Sequence, residues 1–204
     1  MSKECMSDAS LKSQISLEAE DQETEENLAL LQAVEIHTES LEKRQRRISA
    51  KIEIPAPLEA VWALLTDYET LPEFIPNLAV SKRLEHPEGG IRLEQVGTQR
   101  LLRLKFSARV VLDMEEDCPS EIRFNMVEGD FKAFSGYWKL QPRVEAPLAS
   151  DESVSDRPIT DLLYSVIVWP KLTMPVKLIE NRICKDLRLN LLAIRQKVVG
   201  LSHG

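Results

Sequence analysis

The strongest constraint on this chain is its last regular segment. From about Pro175 to Val199 apolar residues recur at steps of three and four: Val176, Ile179, Ile183, Leu187, Leu191, Ile194 and Val198. That spacing lays one continuous apolar stripe along an amphipathic helix. Lys177, Lys185, Arg188, Arg195 and Lys197 mark its more polar directions. About 24 residues would span about 36 Å, enough to cross a small sheet diagonally. A helix with one apolar stripe must bury it against another element, and the residues before it supply strands.

Seven runs alternate apolar with polar residues or are bounded by turn residues, as strands require. They are Ile48–Ile54, Ala79–Glu85, Ile91–Arg100, Leu102–Met114, Glu121–Glu128, Ala133–Pro142 and Thr160–Trp169. The alternation is clearest in the fourth: Leu104, Phe106, Ala108, Val110, Leu112 and Met114 share one face, and Lys105, Ser107, Arg109 and Asp113 share the other. This pattern predicts an antiparallel sheet with one face inside and one in water. In the last strand both faces are largely apolar. Pro55 and Pro57 end the first strand and open a helix over Leu58–Leu65. A short helix or turn follows over Leu71–Ile75. Residues 143–158 read as a long loop, beyond the usual hairpin length.

Charge divides the chain. Of its net −7, residues 1–40 carry −8, from two lysines and ten acidic residues. The remainder carries about +1 (24 basic minus 23 acidic), so it lacks the basic footprint of a general nucleic-acid binder. Residues 1–45 are expected to be an acidic tail, disordered or partly helical, with a weak helical period over Asn27–Leu41. A domain would occupy residues 46–204. The basic run Lys43-Arg44-Gln45-Arg46-Arg47 reads as a solvated charge cluster or as a contact for a partner or an anionic membrane. Cys5, Cys118 and Cys184 form no CxxC pair, so neither a zinc site nor a disulfide framework is expected. No run has the apolar length of a membrane span and no secretory signal is visible, which points to a soluble cytoplasmic protein.

The order β-α-α-β-β-β-β-β-β-α, with these residues, resembles the START-related superfamily of polyketide cyclase/dehydrase and lipid-transport domains, the helix-grip fold. Three patterns carry the resemblance over about residues 46–199. One is Ile54-Pro-Ala-Pro-Leu-Glu-Ala-Val-Trp62, followed by Asp67-Tyr68 and Leu71-Pro-Glu-Phe74-Ile-Pro76. Another is Phe134-Ser-Gly136-Tyr-Trp138-Lys-Leu140, and the third is Thr160-Asp-Leu-Leu-Tyr164 leading to Pro175. The stretch from Tyr68 to Pro76 is similar to the coenzyme-Q-binding and cyclase-like branch. The run from Pro170 to Arg182 looks like a subgroup of photosynthetic bacteria and plastids. The resemblance implies an α+β fold: a curved antiparallel sheet of about seven strands around a long C-terminal helix, with two short helices after strand one.

It also implies a cavity between sheet and helix. The candidate wall residues are Trp62, Phe74, Phe106, Phe124, Trp138, Tyr164, Ile179, Ile183 and Leu187, each readable equally as plain core. Tyr164 is the leading polar candidate, since a buried hydroxyl needs a partner. Arg92 and Arg100 read as surface residues. No catalytic constellation appears: His37, His86 and His203 lie in the tail, a turn and the C-terminus. Neither a nucleophile elbow nor a phosphate loop is present, and no metal-ligand spacing or cofactor motif occurs. The leading reading is non-catalytic binding or transport of a lipid, isoprenoid or quinone-like molecule. The alternatives are a cyclase/aromatase-like enzyme and a protein-interaction module using the acidic tail.

Overall fold

The computed structural model describes the backbone of residues 33–101, 104–143 and 158–201, and the side chains of residues 33–98, 107–143 and 158–201. Eight strands form one antiparallel sheet. They are β1 (Glu35–Ser40), β2 (Arg46–Ile54), β3 (Leu78–Leu84), β4 (Ile91–Leu101), β5 (Leu104–Asp117), β6 (Glu121–Gly129), β7 (Ala133–Arg143) and β8 (Ile159–Trp169). Helix α1 (Leu58–Thr66) and a 3-10 turn at Leu71–Glu73 follow β2, and α2 (Val176–Leu201) closes the described chain. The spatial order is β1-β2-β8-β7-β6-β5-β4-β3. This is the expected α+β helix-grip architecture.

One strand was not expected. Residues 35–40 form β1 and pair with β2 from Glu35 opposite Lys51 to Ser40 opposite Arg46. The helical period over Asn27–Leu41 therefore fails at its C-terminal end. Thr38 and Leu41, which continued that period, fall in the strand and in the turn after it. Residues 1–32 and the loop at 144–157 lie outside the described residues.

The core forms where the sheet meets α2. Ile48, Ala50, Ile52 and Ile54 alternate inward on β2 and are essentially inaccessible to solvent. They pair with Val166, Tyr164, Leu162 and Thr160 on β8. Leu187, Leu191, Ile194 and Val198 present the buried stripe of α2, which packs against β2 and α1. Each such aliphatic side chain contributes roughly 1.5–3 kcal/mol by leaving water. On β8 the inner set is buried, and the outer Leu163, Ile167 and Trp169 are half-buried. Bulges interrupt the β5–β6 register at Val111/Leu112 and the β3–β4 register at Leu78/Val80. A bulge bends its strand and raises its twist, which helps that half of the sheet stand away from the helix.

Candidate functional site

Between α2 and the β4–β8 part of the sheet lies a cavity of about 240 Å³. That is slightly below the roughly 300–1,000 Å³ common for ligand pockets. Alternation on β5 brings Ala108, Val110, Leu112 and Met114 to its floor. Leu65 from α1 and Tyr68, Leu71 and Ile75 from the segment after it form one side. Helix α2 contributes Ile183, Asp186, Leu187 and Asn190, spaced so that all four share one face.

The opposite wall is aromatic. Phe131 stacks on Phe134 and Phe134 on Phe124, both with ring centroids 5.6 Å apart. Phe124 stacks on Tyr164 at 5.7 Å, and Trp138 meets Tyr164 edge-on at 4.3 Å. Tyr164 is 7% exposed and lines the cavity. Burial pushes its phenol above the ordinary tyrosine range. Tyr68 is held differently: its hydroxyl donates to Glu116 Oε1 at 2.7 Å, and Arg83 lies over its ring. Burial first, and then that bond to Glu116, raise its phenol well above the usual value. Both phenols therefore stay protonated at neutral pH.

The polar side chains of the cavity cluster toward α2. Asn77 Nδ2 donates to Asp186 Oδ1 at 3.1 Å, and Arg182 Nε donates to Asp186 Oδ2 at 3.3 Å. Asn190 Oδ1 is buried and accepts no hydrogen bond among the described residues. Gln95 Nε2 donates to Ser81 Oγ at 3.2 Å.

Of the residues expected at the cavity, Phe124, Trp138, Tyr164, Ile183 and Leu187 line it. Trp62, Phe74 and Ile179 are not among the residues that line it. On α1 it is Leu65 that reaches the cavity, while Trp62 is half-buried. In the following segment Leu71 and Ile75 do so, and Phe74 between them does not. Ile179 lies one helical turn before Ile183, where the cavity begins. The backbone of Phe106 pairs with Gln99, and its side chain lies outside the described residues. Arg92 is half-buried on the sheet, where Asp113 takes it in a two-point ion pair at 2.6 and 2.8 Å. Arg100 also lies outside the described side chains.

Sequence reasoning missed Phe134, although it belongs to a quoted pattern, and the polar group Asn77, Asp186 and Asn190. The only advance signal for the last two was their spacing from Ile183 and Leu187. Among the described residues no group of His, Cys, Asp and Glu is placed to hold a metal. No described helix is long and apolar enough to cross a membrane. Cys118 is exposed, and the Cys184 thiol is raised above its ordinary pKa, mainly by burial.

Similar proteins share this arrangement. The STAR-related lipid transfer protein of Xanthomonas axonopodis superposes with a TM-score of 0.61 at 14% identity, covering 81% of this chain and 93% of that one. The Zhui aromatase/cyclase of Streptomyces sp. R1128 does so with a TM-score of 0.57, also at 14% identity, covering 76% and 93%. At such identities the likeness shows the fold alone. In sequence, the ribosome association toxin RatA of Pseudomonas aeruginosa is 30% identical over 88 residues. That match covers 43% of this chain and spans 58% of the relative's length. The family model described as polyketide cyclase / dehydrase and lipid transport matches residues 54–192, from the end of β2 to the cavity face of α2, and the chain belongs to that family.

Proposed function

We propose that this domain binds a small apolar molecule between sheet and helix and carries or presents it without chemically changing it. One observation carries the reading. The cavity is walled by aliphatic and aromatic side chains, with the buried Tyr164 phenol among them. Apolar surface leaving water contributes roughly 25 cal/mol per Å². The hydroxyl supplies one orienting hydrogen bond to an oxygen on the guest. The segment from Tyr68 to Asn77 and the cavity face of α2 form the mouth. The Asn77–Asp186 bond ties them together and opens to admit the ligand. Isoprenoid or quinone-like rings suit the aromatic wall. The run from Tyr68 to Pro76 supports a place near the coenzyme-Q-binding branch, and the run from Pro170 to Arg182 a place near a photosynthetic subgroup. A cytoplasmic setting is part of this reading.

The enzyme reading has less support. The titratable side chains on the cavity wall are Tyr68, Tyr164 and Asp186. The two phenols are held protonated, and the carboxylate is engaged by Asn77 and Arg182. General acid–base work needs groups with pKa values near the working pH. A second reading, a module that docks a protein or ribosomal partner, is supported by the identity to RatA over 88 residues.

Trp138→Ala separates these readings. Trp138 is half-buried against Tyr164, so its loss widens the cavity. Native mass spectrometry of protein from its own cells, followed by organic extraction, identifies the bound molecule. The variant should lose that molecule, with affinity down about tenfold, while unfolding costs less than the roughly 3–5 kcal/mol of a core Trp→Ala change. A full core-sized loss of stability with unchanged affinity would make Trp138 plain core and sink the proposal. The docking reading expects partner binding to survive in the same variant.

A further inference from the structure

We infer that the cavity holds a second subsite, over Gly97 of β4 and Ala108 of β5, and that Gly97 keeps it open for a second apolar lobe of the guest. This deepens the binding reading above and rests on it. The guest it selects is a two-lobed apolar molecule. One ring body lies against the aromatic wall, and a further ring or branched chain lies over the subsite.

Gly97 and Ala108 are register partners, and both line the cavity. Along the same two strands the next inward pairs are Gln95 opposite Val110 and then Leu93 opposite Leu112. Directly opposed side chains on one face stand close enough to touch, so each pair makes one rung of the cavity floor. From Leu93–Leu112 to Gly97–Ala108 the rungs shrink from two isobutyl groups to a hydrogen and a methyl. Burial follows the same course: Leu93, Leu112 and Val110 are buried, while Gly97 and Ala108 are half-buried. The floor therefore drops away toward Asn77, whose carbonyl accepts from Thr98 N–H at 2.9 Å. Nothing in the backbone calls for a glycine at 97. Its φ lies outside the left-handed region. A Cβ there would meet Asn77 O at 3.6 Å and Ala108 O at 3.9 Å, both ordinary contact distances. Gly129 and Gly136 differ: a Cβ on the first would strike Arg109 O at 2.7 Å, and one on the second would come closer still to Ser165 O. A glycine inside a strand weakens it, through backbone entropy and the missing side chain. Where neither conformation nor close approach requires the glycine, what it provides is the space above it, and at Gly97 that space is cavity.

Two dyes test this with the full chain: 1-naphthylamine, a single ring body, and N-phenyl-1-naphthylamine, the same body with a second lobe. Both shift their emission on leaving water, and that shift reports binding. The larger dye should bind the unaltered protein at least about tenfold tighter, from the extra apolar area it buries. Gly97→Val fills the subsite, so it should weaken the larger dye at least about tenfold and leave the smaller within about twofold. Gly97→Ala should raise the urea midpoint, because the strand loses less entropy on folding and no neighbour is displaced. Stability and affinity thus move in opposite directions at one position, which a plain core residue would not show. If Gly97→Val binds both dyes as the unaltered protein does, or loses both alike, the inference is overturned while the binding reading stands. A lower midpoint for Gly97→Ala would make this a structural glycine and overturn the inference as well. If Gly97→Val does not fold, Ala108→Val decides from the facing strand, and an undiminished preference for the larger dye in that variant overturns the inference. Failure of both dyes to bind the unaltered protein would remove the binding reading and this inference together.

Discussion

At Gly136 the absence of a side chain sets the shape of the aromatic wall. A Cβ there would lie 2.1 Å from Ser165 O on β8 and 2.7 Å from Phe124 Cζ. The ring of Phe124 fills the space over the glycine and reaches Phe134 and Tyr164 from there. Gly136→Ala must push both a backbone oxygen and this ring aside. It should cost roughly 1–3 kcal/mol or more, read as a lower urea midpoint at unchanged slope. A neutral result would mean that β7 and β8 separate easily and that the wall is softer than its packing implies. Such residues are partly legible in sequence. Phe124, Trp138 and Tyr164 stand at alternate positions of strongly patterned strands, so their inward face follows from period two. Asn77, Asp186 and Asn190 carry no such mark. On an amphipathic helix a polar residue beside the stripe reads as solvated, and only the approach of the segment before β3 turns it into cavity wall.

At the scale of elements, the first turns of α2 are fixed by the strand that precedes α1. Glu180 is buried and accepts from Arg46 Nε at 2.9 Å and from Lys177 Nζ at 3.0 Å. Arg44, in the turn between β1 and β2, donates to the carbonyls of Lys171 and Met174 in the link to α2. Lys177 above all, and then Arg46, hold the Glu180 carboxyl below the ordinary glutamate range against the opposing effect of burial. A depressed folded-state pKa contributes stability above the unfolded value of about 4.3, and this is lost as pH falls through the folded value. Glu180→Gln should therefore destabilise at pH 7 and lose much of that effect at pH 3, as followed by urea unfolding. An equal penalty at both pH values would assign the effect to packing. The strands and helices themselves were largely legible because apolar period two and period three-to-four dominate them. Strand β1 was not. In Glu-Ile-His-Thr-Glu-Ser only Ile36 is apolar, and an edge strand exposed along most of its length needs no alternation.

For the molecule as a whole, the open sheet divides its work. Helix α2 seals the β2 side with core, and the β4–β8 side keeps the cavity. The outer face carries cross-strand ion pairs: Arg92–Asp113, Arg109 with Glu94 and Glu128, Arg123 with Glu115 and Glu121, and Lys51–Asp161. The two outermost strands are β1 and β3, and both expose charge, through Glu35 and Glu39 on one and Lys82 and Arg83 on the other.

The hairpin of β1 on β2 has a practical consequence for any experiment that shortens the chain. A chain beginning at Gln45 would lose β1 and uncover the hydrogen-bonding edge of β2, with its run of four inward aliphatic residues. Uncovered edges of that kind recruit other strands. Such a chain should associate with rising concentration in light scattering, whereas one beginning at Val34 should stay monodisperse. If the two behave alike, β1 is not guarding the edge. If they differ, a loss of function on removing residues 1–44 would report a sticky sheet rather than a missing partner site, and the acidic segment has to be judged from a cut at residue 33.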